Sequence, residues 1–245
     1  MIKHVLLVIV LSISFGISTN LNAQTNGDAP KTKTITIKKG YSLDLLTAIR
    51  NPETDDALNT YFGHVFPPAS KHGFKVDASF VTISTPTKGN FHTNFVSLMS
   101  WPNKESRNNF AREAEKLSYD YLSERRKIWS VFNLTEYENL QKDLEITVSS
   151  DKVYVITTYW INDNEAFRNA KQNASKKMKA AGGKFVTLLG KGKSPSGYLY
   201  EPNVISITEW DNSETFKAYI KSSNPEVNDA GTTNVNQWIT KFLFQ

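Results

Sequence analysis

The sequence predicts an α+β protein made of two tandem β-α-β-β-α-β units packed sheet to sheet as an intrachain α/β barrel. Three observations carry that expectation. The stretch "FVSLMSWPNKE", from Phe95, returns as "VISITEWDNSE", from Val204. Sliding the chain on itself extends the match: at a shift of 111, Ile35, Ile37 and Asn51 fall on Ile146, Val148 and Asn162, and at 110, Gly73 and Val76 fall on Gly183 and Val186. At 109, Trp101, Asn103, Glu105, Phe110 and Trp129 fall on Trp210, Asn212, Glu214, Tyr219 and Trp238, so that four of five tryptophans pair. Ordered matches of rare residues, separated by only two single-residue gaps, point to duplication. The units are expected over 34–143 and 144–245.

Each unit opens on an apolar, strand-like run, Ser42 to Ile49 or Val153 to Ile161. Asn51 and Asn162 are the expected N-caps of a following helix, and Pro52 suits its first position. The helices end at Gly73 and at Gly182 and Gly183, because glycine accepts the left-handed backbone that closes a helix. Pro67 and Pro68 are expected to kink or interrupt the first of them. Second strands, "FKVDASFVTIS" and "KFVTLLG", turn into the third strands quoted above. Asn103 and Asn212 then start helices carrying Phe110 and Tyr219, and last strands follow around Trp129 to Phe132 and Trp238 to Phe244. This order is the ferredoxin-like plan, a four-stranded antiparallel sheet with both helices on one face. The bare face needs a partner, and the other copy is the nearest one.

Residues 1–23 have a positive start at Lys3, an apolar run from Val5 to Ile17 and a small residue at Ala23, which reads as a signal peptide. The run falls short of the roughly 20 apolar residues that span a bilayer. With a short linker at 24–33, the expected product is secreted, periplasmic or extracellular, with no membrane insertion after cleavage. There is no cysteine, hence no disulfide framework and no lipid-bearing thiol. The formal charge of +5 comes with lysine clusters and no nucleic-acid-binding motif, so the lysines read as a solvated face and no nucleic acid partner is expected.

No nucleophile elbow, phosphate loop, His-Glu-x-x-His or cysteine nucleophile is present. Asp44 interrupts an apolar strand where the second copy has Val155. Facing the space between the sheets, it would be a desolvated carboxylate suited to proton abstraction; the alternative is an exposed or arginine-paired acid. His92, at the start of a third strand, is the second catalytic candidate. Strand periodicity sets Ser97, Met99 and Trp101 on one face and Ser206, Thr208 and Trp210 on its counterpart, and these are the expected ligand-binding residues. Val96, Leu98, Ile205 and Ile207 are then expected under the helices. His64 and His72 lie eight residues apart around Pro67, too far for joint ligation on one helix, and no metal is expected.

"KMKAAGGKFVTLLG" with "ITEWDNSETFKAYIKSSN", and "VFPPASKHGFKV" with "LMSWPNKESRNNF", resemble small bacterial members of the dimeric α/β-barrel superfamily. The resemblance covers both copies and implies fold more than chemistry. That superfamily includes cofactor-free monooxygenases, haem-degrading enzymes, tandem-domain haem peroxidases and chlorite dismutases, and muconolactone-type isomerases. The tandem haem enzymes place an axial histidine in the C-terminal unit, and here that unit has none; no histidine follows Trp101 either. No cofactor is therefore expected. The leading expectation is a secreted protein, monomer or homodimer, that binds a small, partly apolar molecule between its two sheets. A cofactor-independent monooxygenase or isomerase using Asp44, His92 or Trp101 is the alternative, and a structural envelope role is a third reading.

Overall fold

The structure is a computed structural model that describes residues 29–117, 119–137, 140–195, 197, 199–222 and 229–244. The expected signal peptide lies outside the described residues. In chain order the elements are β1 (Thr32–Ile37), β2 (Ser42–Arg50), α1 (Asp55–Lys71), β3 (Lys75–Thr82), β4 (Phe95–Trp101), α2 (Lys104–Ala114), α3 (Tyr121–Ile128) and β5 (Trp129–Tyr137). There follow β6 (Leu144–Ser149), β7 (Val153–Ile161), α4 (Asn164–Ala180), β8 (Lys184–Gly190), β9 (Gly192–Lys193), β10 (Val204–Trp210), α5 (Ser213–Ser222) and β11 (Thr232–Phe242).

Nine strands form one antiparallel sheet in the order β8-β10-β7-β11-β3-β4-β2-β5-β9. Its first half repeats the strand order of its second: β5-β2-β4-β3 corresponds to β11-β7-β10-β8. The halves meet where Phe242 of β11 pairs with Phe80 of β3. The expected α+β class and antiparallel pairing are therefore present. A closed barrel is not formed. The two ends of the order, β8 and β9, are joined covalently through Lys191, whose left-handed backbone (φ 62°) turns the chain, and β9 gives β5 only two paired residues.

A separate ribbon pairs β1 with β6, with Ile35 opposite Ile146 and Ile37 opposite Leu144. Ile35 and Ile146, which align as repeats, are thus cross-strand partners. Alternation sends Ile35, Ile37, Ile146 and Val148 into the core, while Thr34 and Thr147 join hydroxyls 3.1 Å apart outside. Burying such a side chain stabilises the fold by about 1.5–3 kcal/mol. The same cluster takes Leu43, Leu45, Phe80, Val96 and Leu98 from one half and Tyr154, Ile156, Ile205, Ile207 and Trp238 from the other. The space between the halves is therefore packed with side chains.

This reverses the expected faces. Val96, Leu98, Ile205 and Ile207 look into the shared core, while Met99 and Trp210 pack with the helices. Alternation sorts residues into two sets, but only tertiary packing decides which set faces which layer.

Helix boundaries show smaller corrections. The N-caps are Thr54 and Asp163, not Asn51 and Asn162. Asn51 instead donates its amide to the Lys127 carbonyl at 2.7 Å, tying β2 to the end of α3. Pro67 and Pro68 lie inside an unbroken α1. The carbonyls they deprive of donors belong to Gly63 and His64, which are exposed and can be hydrated. Asn103 and Asn212 cap as expected, accepting from the amides of Ser106 at 2.8 Å and Thr215 at 2.9 Å. Helix α3 was not expected.

Candidate functional site

A cavity of about 290 Å³ lies between the second half's strands and its helices. Two periodicities build it. Alternate residues on the strands supply one wall: Thr157 and Tyr159 from β7, then Ser206, Thr208 and Trp210 from β10, with Gln237 from β11. Residues three and four apart on the helices supply the other: Lys171, Ala174, Ser175 and Met178 from α4, and Phe216, Tyr219 and Ile220 from α5. Phe185 and Leu188 of β8 complete the rim. Both are exposed, at 52% and 42%, so the cavity opens at the sheet edge.

The lining is mostly apolar, and its polar groups largely bind one another. Trp210 Nε1 donates to Thr208 Oγ1 at 3.0 Å, Gln237 Nε2 donates to Thr157 Oγ1 at 2.8 Å, and the hydroxyls of Tyr159 and Ser206 are 3.3 Å apart. Gly183 holds Trp210 and Met178 close, because a Cβ there would lie 2.7 Å from the Trp210 ring and 2.6 Å from Met178 Cγ.

One end is charged. Lys88 Nζ meets Asp229 Oδ2 at 2.5 Å, and Lys171 Nζ stands 3.9 Å from Asp229 Oδ1 and 4.0 Å from the centre of the Tyr159 ring. Lys88 comes from the first half. The β3–β4 connection reaches β11, where Gln237 N donates to Lys88 O at 3.1 Å and Thr87 Oγ1 donates to Gln237 Oε1 at 3.0 Å. Gly89 permits that approach: its φ is +72°, and a Cβ would meet Asn236 Oδ1 at 2.1 Å.

Of the expected ligand-binding residues, Ser206, Thr208 and Trp210 line this cavity, though it lies under the helices rather than between the sheets. Ser97, Met99 and Trp101 occupy the corresponding side of the first half, where the space is taken by aromatic packing. Tyr61 meets Trp129 edge-on at 5.2 Å, and the Arg125 guanidinium from α3 lies 4.0 Å above Phe132 and donates to Tyr61 at 2.9 Å. Ser97 shares a hydroxyl contact with Ser79 at 2.9 Å.

Neither catalytic candidate lines the cavity. Asp44, 2% exposed, accepts from Arg107 Nε at 2.9 Å and from Trp101 Nε1 at 2.8 Å, the arginine-paired alternative. Burial raises its pKa against the opposing pull of Arg107 and Trp101. Glu136, which accepts from Ser42 Oγ at 3.0 Å, lies 3.8 Å from Arg107 Nη1. His92 is exposed, ahead of the other end of β4 from the Asp44 partner Met99.

Lys88, Thr157, Tyr159, Lys171, Asp229 and Gln237 were missed by sequence reasoning. The i, i+3, i+4, i+7 set on α4 is a signal that could have found Lys171 and Met178. Nothing local marks Lys88, which reaches the site only through pairing between residues about 150 apart in the chain.

Haem, which the resemblance raises, does not fit the lining: its described residues offer no imidazole. His64 stacks on Tyr119 with ring centres 4.1 Å apart, and His72 Nε2 lies 2.8 Å from Glu113 Oε2.

No protein-family profile matches the chain, and no curated protein matches it by sequence. Solved structures do share its fold. An anthrone oxidase-like protein aligns with a TM-score of 0.54 at 14% identity, covering 85% of this chain and 94% of its own. An Arg-to-Lys variant of chlorite dismutase from Candidatus Nitrospira defluvii aligns with a TM-score of 0.50 at 8% identity, covering 85% and 93%. These neighbours belong to the dimeric α/β-barrel, ferredoxin-like superfamily, and what this chain has in common with them is the fold.

Proposed function

We propose that this is an exported protein, arisen by tandem duplication of a ferredoxin-like unit, that binds a small, largely apolar molecule in the cavity of its second half. One observation carries the reading: a cavity of about 290 Å³ walled by Trp210, Phe216, Tyr219, Met178 and Leu188, with hydroxyl and amide groups along its strand wall and the charged groups at one end. That is the composition of small-molecule sites, at the lower end of their size range. The first half, with the corresponding space packed, acts as scaffold and lends Lys88.

Trp210 provides the readout. Titrating the mature protein with apolar aromatic probes should change tryptophan emission saturably, and the change should be lost in Trp210→Phe if that indole reports the site. No saturable binding of any probe by calorimetry would sink the proposal.

A second reading, a cofactor-independent monooxygenase or isomerase, draws on the fold shared with the anthrone oxidase-like protein and on one feature of the site. Asp229 is the sole carboxylate among the described lining residues, placed where it could accept a proton from a bound substrate. Oxygen consumption with anthrone, abolished in Asp229→Asn while anthrone still binds, would support it; binding without turnover would leave the binder.

A further inference from the structure

We propose that the molecule held in this cavity carries a carboxylate, which enters between Lys88 and Lys171 in exchange for the side chain of Asp229. The inference rests on the cavity being the ligand site and specifies what the site selects.

Among the described lining residues the charged groups are Lys88, Lys171 and Asp229, gathered at one end of a chamber whose lining is mostly apolar. All three side chains are mostly sheltered, 19%, 23% and 23% exposed, so their charges interact more strongly than surface pairs do. Asp229 lies between the two ammonium groups, 2.5 Å from one and 3.9 Å from the other. The chain's own carboxylate thereby marks an anion position adjoining the apolar chamber. A ligand carboxylate can replace it one for one in charge and geometry while its apolar body fills the space beside Trp210 and Phe216. A cationic ligand would face two lysines.

Exchange requires that Asp229 can leave without unfolding its loop. Its backbone is fixed independently of its carboxylate, since its carbonyl accepts from both Thr232 N at 3.2 Å and Thr232 Oγ1 at 2.6 Å. The side chain can therefore rotate towards solvent. In the unliganded protein Asp229 is a competing internal anion that weakens binding of acids and keeps the lysines compensated.

The test uses two probes of nearly equal shape, 2-naphthoate and its uncharged amide, 2-naphthamide, measured by calorimetry on the mature protein. The natural protein should bind 2-naphthoate about tenfold tighter than 2-naphthamide, as a charge-assisted contact implies, and only the acid should weaken with added salt. Lys88→Met should erase the preference and Lys88→Arg should restore it. Asp229→Asn should tighten 2-naphthoate severalfold and widen its preference over 2-naphthamide, the opposite of what a purely structural ion pair would give. Equal affinity for both probes, or looser 2-naphthoate binding in Asp229→Asn, would overturn the exchange while leaving the cavity as a binding site. Binding of neither probe would remove the site itself and this inference with it.

Discussion

Arg107 Nε lies 2.9 Å from Asp44 Oδ1, pinning helix α2 to the middle of the first half's sheet beneath an 11%-exposed guanidinium. Removing one partner of a buried pair strands the other, so Asp44→Ala should destabilise the protein by about 3–5 kcal/mol. Asp44→Asn should cost less, because its amide oxygen can still accept from Trp101 Nε1. Neither change should alter 2-naphthamide affinity, since Asp44 is outside the cavity lining. Urea unfolding and calorimetry on both variants check this; a loss of binding in well-folded Asp44→Asn would reinstate Asp44 as a site residue.

The same carboxylate sets a pH dependence. Its folded pKa is raised by burial, so between the ordinary aspartate value of about 3.9 and the raised value the folded state holds more protons than the unfolded one. Stability therefore falls as pH rises through that window. Asparagine does not titrate, so the stability of the natural protein relative to Asp44→Asn should decline from pH 3 towards neutrality. Parallel urea curves would show it, and a difference that widened with pH would contradict the assignment.

Gly183→Ala should shrink the cavity from within. The new methyl group would displace Met178 and Trp210, for which it leaves only 2.6–2.7 Å. We expect a loss of about 1–3 kcal/mol in stability, as for other overpacked sites, and weaker 2-naphthamide binding with a shifted Trp210 emission. Unchanged emission would mean that the strain is relieved elsewhere.

Ala174→Leu approaches the same volume from α4. The added side chain should point into the cavity and compete with ligand, lowering 2-naphthamide affinity at least about tenfold while changing stability little. Binding that survives this substitution would place the probe somewhere else.

Burial pushes the phenols of Tyr137, Tyr154 and Tyr200 above the ordinary tyrosine range. Because their folded pKa values exceed the unfolded value of about 10, stability is retained below that pH and lost as pH rises above it. Absorbance at the tyrosinate band should show these phenols ionising only together with the loss of circular dichroism. Their ionisation in a still-folded protein would refute the burial assigned to them.

Much of this architecture could be read from residue order alone. The strands at Ser42 and Val153 and the caps Asn103 and Asn212 are local facts: branched or aliphatic runs favour extended chain, and an asparagine side chain closes the first turn it precedes. Strand alternation also grouped Ser206, Thr208 and Trp210 as one face, and they do share a cavity wall.

Tertiary structure decided which layer each face met. A period of two has no inside or outside until sheets and helices compete for the same surface, and the β1–β6 ribbon resolved that competition by bringing its isoleucines and Val148 to the side of Val96 and Ile205. It also decided Asp44, whose neighbour Arg107 lies 63 residues away, and Lys88, delivered across the halves to Asp229. Sequence determined most of the repeated elements and their alternation, because those depend on neighbouring residues, while α3 and the β1–β6 ribbon were not read from it; the site depends on contacts between distant segments, which exist only once the chain has folded.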